Sequence, residues 1–266
     1  MKLGMPTLVE FKRLEQNVEL CRELQLDFVE LNMNLPICIP ENLDPTHLRA
    51  ITEETGIAFT LHLPEELDLA SFQPRIRQGH MACCIEAMDW ASLAGIGTLN
   101  MHVNNGIYFT LPDGREWINA AYETEFIALL LDSYRALYRH AERRGIRLCI
   151  ENTCNFQLPF IRHALDRLAA FDNFCLTWDT GHDAKTGFRE EPALLAHAGR
   201  IRHMHLHDCR AQSDHQTLYS GDVPIHRRLD FAQAHGISAV IEVKTGEALR
   251  ESVRRLRERY PLNAGS

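Results

Sequence analysis

The feature that most constrains the fold is a regular alternation of short apolar, strand-like runs with amphipathic, helix-like runs along the whole chain. Strand patterns fall at residues 2–8, 27–31, 57–63, 98–103, 147–152, 174–179, 201–207 and 239–243. Helical periodicity fills the gaps at 14–24, 45–54, 72–93, 122–144, 158–170, 192–198, 225–235 and 247–259. Asp44 before Pro45 reads as an N-cap followed by a first-turn proline, and Gly56, Gly95 and Gly145 each follow a helix end. Eight strand–helix units in 266 residues predict an α/β protein built as one (β/α)8 TIM barrel over residues 1–266. An open doubly wound sheet would more often stop at five or six strands. Between the first strand and the first helix there is no Gly-rich phosphate fingerprint, which argues against dinucleotide binding.

Composition narrows the function classes. A hydrophobic content of 45% with 24% charged residues fits a globular domain with a large core. No apolar run has the length of a membrane span, and Met1 leads directly into a strand pattern, so a cytoplasmic protein without membrane association is expected. The net charge of −8 argues against a nucleic-acid partner, whose phosphates are held by Lys and Arg. Eight cysteines without a CxxC pair read as free thiols, several of them in apolar strand or helix patterns.

Alternate residues of a barrel strand face inward, and functional side chains gather at the strand C-terminal ends. With Leu148 and Ile150 facing out, Glu151 faces in; with Met204 and Leu206 facing out, His203, His205 and His207 face in; with Ile241 and Val243 facing out, Glu242 and Lys244 face in. The same parity sends Glu30, His62, His102 and Asp179 inward, so seven of the eight strands end in an inward ionisable group. A single such residue needs no explanation near solvent. Four carboxylates converging with three histidines would repel one another without a cation, which predicts a metal site. Glu151, Asp179, His205 and Glu242, from the ends of the last four strands, are the expected ligands. Three carboxylates with one imidazole suit one divalent metal, Mn²⁺, Zn²⁺ or Co²⁺, and suit Mg²⁺ less well.

These residues give the chain a resemblance to the xylose isomerase-like superfamily of TIM barrels, carried by Glu151, the run Asp179-Thr-Gly-His182, the run His205-Leu-His-Asp208 and Glu242. The resemblance implies an isomerase or epimerase acting on a sugar, sugar phosphate or keto-acid. Glu151 and Glu242 would be both ligands and catalytic acid and base, and no organic cofactor would be needed. It further implies substrate contact by His182. Glu30 and Arg210 are further substrate-binding candidates, and Lys244 is placed to contact substrate or tune Glu242. The plainer alternatives are a solvated loop charge for Arg210 and a strand-end salt bridge for Lys244.

The chain also resembles endonuclease IV, a metal-cluster phosphodiesterase of the same superfamily. His62, His102, His182 and the adjacent Asp214 and His215 stand where that enzyme has additional metal ligands. Adjacent residues in an extended loop should point to opposite sides, so Asp214 and His215 are expected to diverge. The basic clusters at 139–147 and 254–259 lie on helices away from the acidic strand ends, which further disfavours DNA. A dehydratase on the same scaffold is the other alternative, since proton abstraction beside a carbonyl can end in loss of water. Exposed barrel helices would leave surfaces for a homo-oligomer.

Overall fold

Each strand pairs in parallel with its sequence neighbour, and the last pairs with the first. The strands are β1 (Leu3–Pro6), β2 (Phe28–Asn32), β3 (Ala58–His62), β4 (Thr98–His102), β5 (Arg147–Glu151), β6 (Cys175–Asp179), β7 (Ile201–Leu206) and β8 (Ser238–Ile241). This computed structural model describes residues 1–260. The expected eight-stranded barrel is present, with helices between successive strands.

The parity follows from the register. Leu148, Ile150, Leu176, Met204, Leu206 and Ile241 are buried in the apolar layer beneath the helices. The alternate residues meet inside: Glu151 lies beside His102 and Thr177, and Asp179 beside His205. At the N-terminal end the ring of Phe28 packs over Gly4, where a Cβ would stand 2.4 Å from it, and reaches across the interior to 6.0 Å from the His203 ring. The barrel is therefore plugged, and its two ends are separate environments.

Helix boundaries largely follow the expected signals. Asp44 accepts from the Thr46 backbone N–H at the start of the helix Pro45–Thr55, and Gly56 ends it at φ 75°. Three connections carry structure that hydrophobic periodicity did not reveal. The polar stretch after β4 forms a hairpin, Tyr108–Leu111 with Gly114–Trp117, followed by the short helix Ile118–Ala121. A six-residue helix, Thr180–Lys185, starts directly at the end of β6. The long loop after β7 contains a second hairpin, Asp208–Arg210 with Ser213–Gln216. All three are too short for a periodic pattern to stand out. Among the described residues no helix is long and apolar enough to cross a membrane. All eight cysteines are free thiols.

Candidate metal centre

The ends of β5, β6, β7 and β8 bring Glu151, Asp179, His205 and Glu242 together. One ligand atom from each can be chosen so that all lie within 4.8 Å of one another. Ligands on opposite sides of an ion bound at about 2.1 Å are about 4 Å apart, so the cluster needs little contraction to share one cation. All four are buried. His205 Nδ1 is 3.1 Å from Glu242 Oε2, 3.3 Å from Glu151 Oε1 and 3.8 Å from Asp179 Oδ2. Despite that proximity, His205 Nδ1 and Glu242 Oε2 have no hydrogen-bond partner of acceptable geometry. Buried polar atoms left in that condition are costly, and a divalent cation among them would satisfy them together.

The other side of His205 is set by Glu30. Its Oε1 is 2.8 Å from His205 Nε2, and its Oε2 is 3.0 Å from His203 Nε2, while His203 Nδ1 is 2.7 Å from Ser238 Oγ. A carboxylate can only accept, so Glu30 favours a proton on His203 Nε2; its approach to His205 Nε2 is an ion-pair distance without hydrogen-bond geometry, and His205 Nδ1 faces the other three side chains. Glu30, expected among the substrate-binding residues, is buried and does not line the mouth cavity. It is engaged below the cluster with His203, His205 and Thr60.

Electrostatics agree with the demand for positive charge. Burial opposes ionisation of Glu151, yet His205, His102 and His62 hold its carboxyl well below the usual range. Glu242 is likewise held low against burial, by His205, His215 and Lys244. Burial also opposes charge on His205, but Glu151, Glu30 and Glu242 pull its pKa well above the ordinary value.

The remaining histidines ring this cluster. His62 Nδ1 is 2.7 Å from the Leu63 carbonyl, turning Nε2 to 3.4 Å from Glu151 Oε2, and His102 Nε2 is 3.6 Å from the same oxygen. His182 lies in the first turn of the short helix capped by Asp179, whose Oδ1 accepts from the His182 backbone N–H at 2.6 Å. Its Nδ1 is 3.4 Å from Asp179 Oδ2 and its Nε2 is 3.7 Å from Asp214 Oδ2. Three further trios also have spacing that could hold a cation: two border the mouth, His62 with His102 and Glu151 and His182 with His207 and His215, and one, Glu30 with His203 and His205, lies below the cluster.

Asp214 and His215 do not diverge as expected. Asp214 approaches His182 and Lys185, while His215 Nε2 is 3.4 Å from Glu242 Oε1, so both address the mouth. The reason is the backbone: His215 has φ 54°, and a left-handed residue breaks the alternation of an extended strand. Arg210 is also corrected. It pairs with Ser213 across a tight turn whose two central residues, Ala211 and Gln212, both have positive φ. That turn leaves Arg210 exposed at the hairpin tip, and the mouth cavity is lined without it. Lys244 does line the cavity and binds Glu242 Oε1 at 2.8 Å.

Several residues were missed. His207, inward by parity but given no role, has Nε2 2.9 Å from Asp179 Oδ2 and accepts from the His215 backbone N–H on Nδ1 at 2.8 Å. Its ring stacks on that of His215 with centroids 4.2 Å apart. Asn100, two residues before His102 on β4, donates to Glu151 Oε2. Asn152 receives the Asp179 backbone N–H at 2.7 Å, and buried Glu190 accepts from Asn152 and from the backbone of Asn155 and Phe156. The Asp208 carboxylate accepts backbone N–H groups of Cys209, Ser220, Gly221 and Val223, which pins the second hairpin to the barrel. The inward position of Asn100 could have flagged it; nothing local marks Glu190.

Above the cluster is a cavity of about 440 Å³ that also reaches Asn32, Glu65, Thr153 and Lys185. Its volume is in the range of small-molecule sites. Other surface hollows are as large, but this one contains the convergent ionisable groups.

The profile of the xylose isomerase-like TIM barrel family matches residues 18–259. No curated protein sequence matches the chain. Among solved structures, a D-tagatose 3-epimerase-like protein superposes with a TM-score of 0.80 at 22% identity, covering 97% of this chain and 96% of that one. An IolI protein with a binding zinc atom gives 0.75 at 16% identity, covering 97% of each chain. The 3-keto-D-glucoside 4-epimerase YcjR from E. coli, in its apo form, gives 0.75 at 17%, covering 97% and 99%. At these identities the likeness is one of fold.

Proposed function

The chain belongs to the xylose isomerase-like TIM-barrel family, and on that footing we propose that it is a divalent-metal-dependent isomerase or epimerase of a sugar or sugar-like keto compound. The observation that carries this reading is the pair of buried glutamates, Glu151 and Glu242, on strands three apart, both approaching His205 Nδ1. Glu151, Asp179, His205 and Glu242 would hold the cation, with Mn²⁺, Zn²⁺ or Co²⁺ suited to the mixed oxygen and nitrogen set. Bound there, a divalent cation would supply Lewis acidity beside a substrate carbonyl.

The side chains supply the proton transfers. Glu151 and Glu242 are held in their carboxylate forms, so either can take a proton from the carbon next to a carbonyl while the other returns one from its own side. Lys244, bonded to Glu242 Oε1, steadies that carboxylate between transfers. His182, His215 and Asn32 border the cavity where the substrate hydroxyls would lie. Water is restricted by the depth of the site, since Glu151 and Asp179 are almost wholly covered.

The test is solvent exchange. The metal-loaded protein, incubated with ketoses, aldoses and keto-acids in D2O, should place deuterium on the carbon beside the carbonyl of one of them. Chelation should stop it. A panel that shows no metal-dependent exchange contradicts the reading.

A phosphodiesterase reading has one observation in its favour, the two extra histidine trios flanking the central cluster. Against it, the two lysines at the mouth are engaged with carboxylates, Lys185 with Asp214 and Lys244 with Glu242. A DNA backbone would find little free positive charge there. Cleavage of abasic duplex DNA at physiological salt would revive this reading.

A further inference from the structure

The barrel has a second opening whose character is opposite to that of the first. At the N-terminal end of the strands, a cavity of about 410 Å³ is bordered by Lys2, Thr60, Thr98, Arg147, Arg202 and Ser238, with Phe28 in its wall. No carboxylate lines it. Among the described residues none of Lys2, Arg147 and Arg202 is in an ion pair, whereas both lysines of the metal-side mouth are paired. Arg202 donates one N–H to the adjacent Ile201 carbonyl and keeps the rest of its guanidinium uncommitted. Lys2 and Arg147 are exposed and Arg202 is half-buried.

Three cations set around one concavity repel one another, in a chain whose net charge is −8. Guanidinium forks and an ammonium suit a tetrahedral dianion, and the volume exceeds what free phosphate would fill.

We propose that this opening is a binding site for a small phosphate monoester, held by Lys2, Arg147 and Arg202 with the Thr98 hydroxyl on its rim. The site is independent of the metal centre, from which the Phe28 plug divides it. Ser238 borders the cavity and also meets His203, which contacts Glu30.

Calorimetric titration of the metal-loaded protein with glycerol 3-phosphate, at constant ionic strength, tests this. Saturable binding is expected, weakened roughly tenfold or more in the Lys2→Gln/Arg147→Gln double variant. Both residues are exposed, so the substitutions leave the core intact. Lys185→Gln, at the opposite mouth, should leave the affinity unchanged. Three results would overturn the proposal: no saturable binding, undiminished affinity in the double variant, or loss of binding in Lys185→Gln.

Discussion

Glu151 belongs to two of the clusters that could hold a cation, so its replacement is the most informative single change. Glu151→Gln keeps the size of the side chain and removes its charge. It is expected to abolish metal retention and to lower turnover by about 100-fold or more, as loss of a proton-transfer group does. Elemental analysis beside a rate assay checks both; full activity with undiminished metal removes Glu151 from the site. Glu30→Gln probes a different role, because Glu30 faces His205 from below. Gln keeps an acceptor oxygen but removes the negative charge beside His205 Nε2, so the imidazole becomes a weaker ligand and metal affinity should fall about 10- to 100-fold. Competition titration against a chromophoric chelator measures it, and unchanged affinity would show that Glu30 has no hold on the ligand. At this scale the sequence was informative wherever strand parity decides direction. Glu151, Asp179, His205 and Glu242 meet as expected. Glu30 has the same parity but lies deeper, and parity carries no information about depth along the barrel axis.

The short elements above the barrel decide how the outer histidines are aimed. Gly181 lies in the first turn of the helix that carries His182, and a Cβ there would stand 2.0 Å from His207 Cε1. Gly181→Ala should therefore displace either the helix or the His207 ring, costing about 1–3 kcal/mol of stability and loosening His215, which stacks on that ring. Denaturant unfolding checks the first effect, and wild-type stability in the variant would show that the crowding is easily relieved. Barrel strands and long helices were legible because their periodicity runs through many residues. The hairpin Asp208–Arg210 with Ser213–Gln216 was not, because it depends on positive φ at Ala211, Gln212 and His215, none of them glycine. For that reason Asp214 and His215 were expected to part, and Arg210 was expected near substrate when the turn carries it away.

Over the whole molecule, the barrel separates an acidic, histidine-rich mouth from a basic one, although its net charge alone suggests neither. Ordering seven inward ionisable groups at one end imposes a pH dependence. Burial lowers the pKa of His62, but Glu151 raises it further, to about 9 from 6.5. A histidine whose folded pKa is raised stabilises the fold fully below about pH 6.5, and that contribution is lost as pH rises towards 9. Metal-stripped protein should therefore lose thermal stability across this window, by at most about 3 kcal/mol from this group. Metal-loaded protein should lose less, because a cation replaces the proton's charge. A flat profile for the stripped protein would show that His62 is not charged in the fold.

The account rests on four strand ends sharing one cation, and crystals soaked in Zn²⁺ and measured at the zinc absorption edge test it most directly. It predicts an anomalous peak about 2.0–2.2 Å from side-chain atoms of Glu151, Asp179, His205 and Glu242 together. A map with no peak at that point, or with zinc bound only elsewhere on the protein, would contradict it.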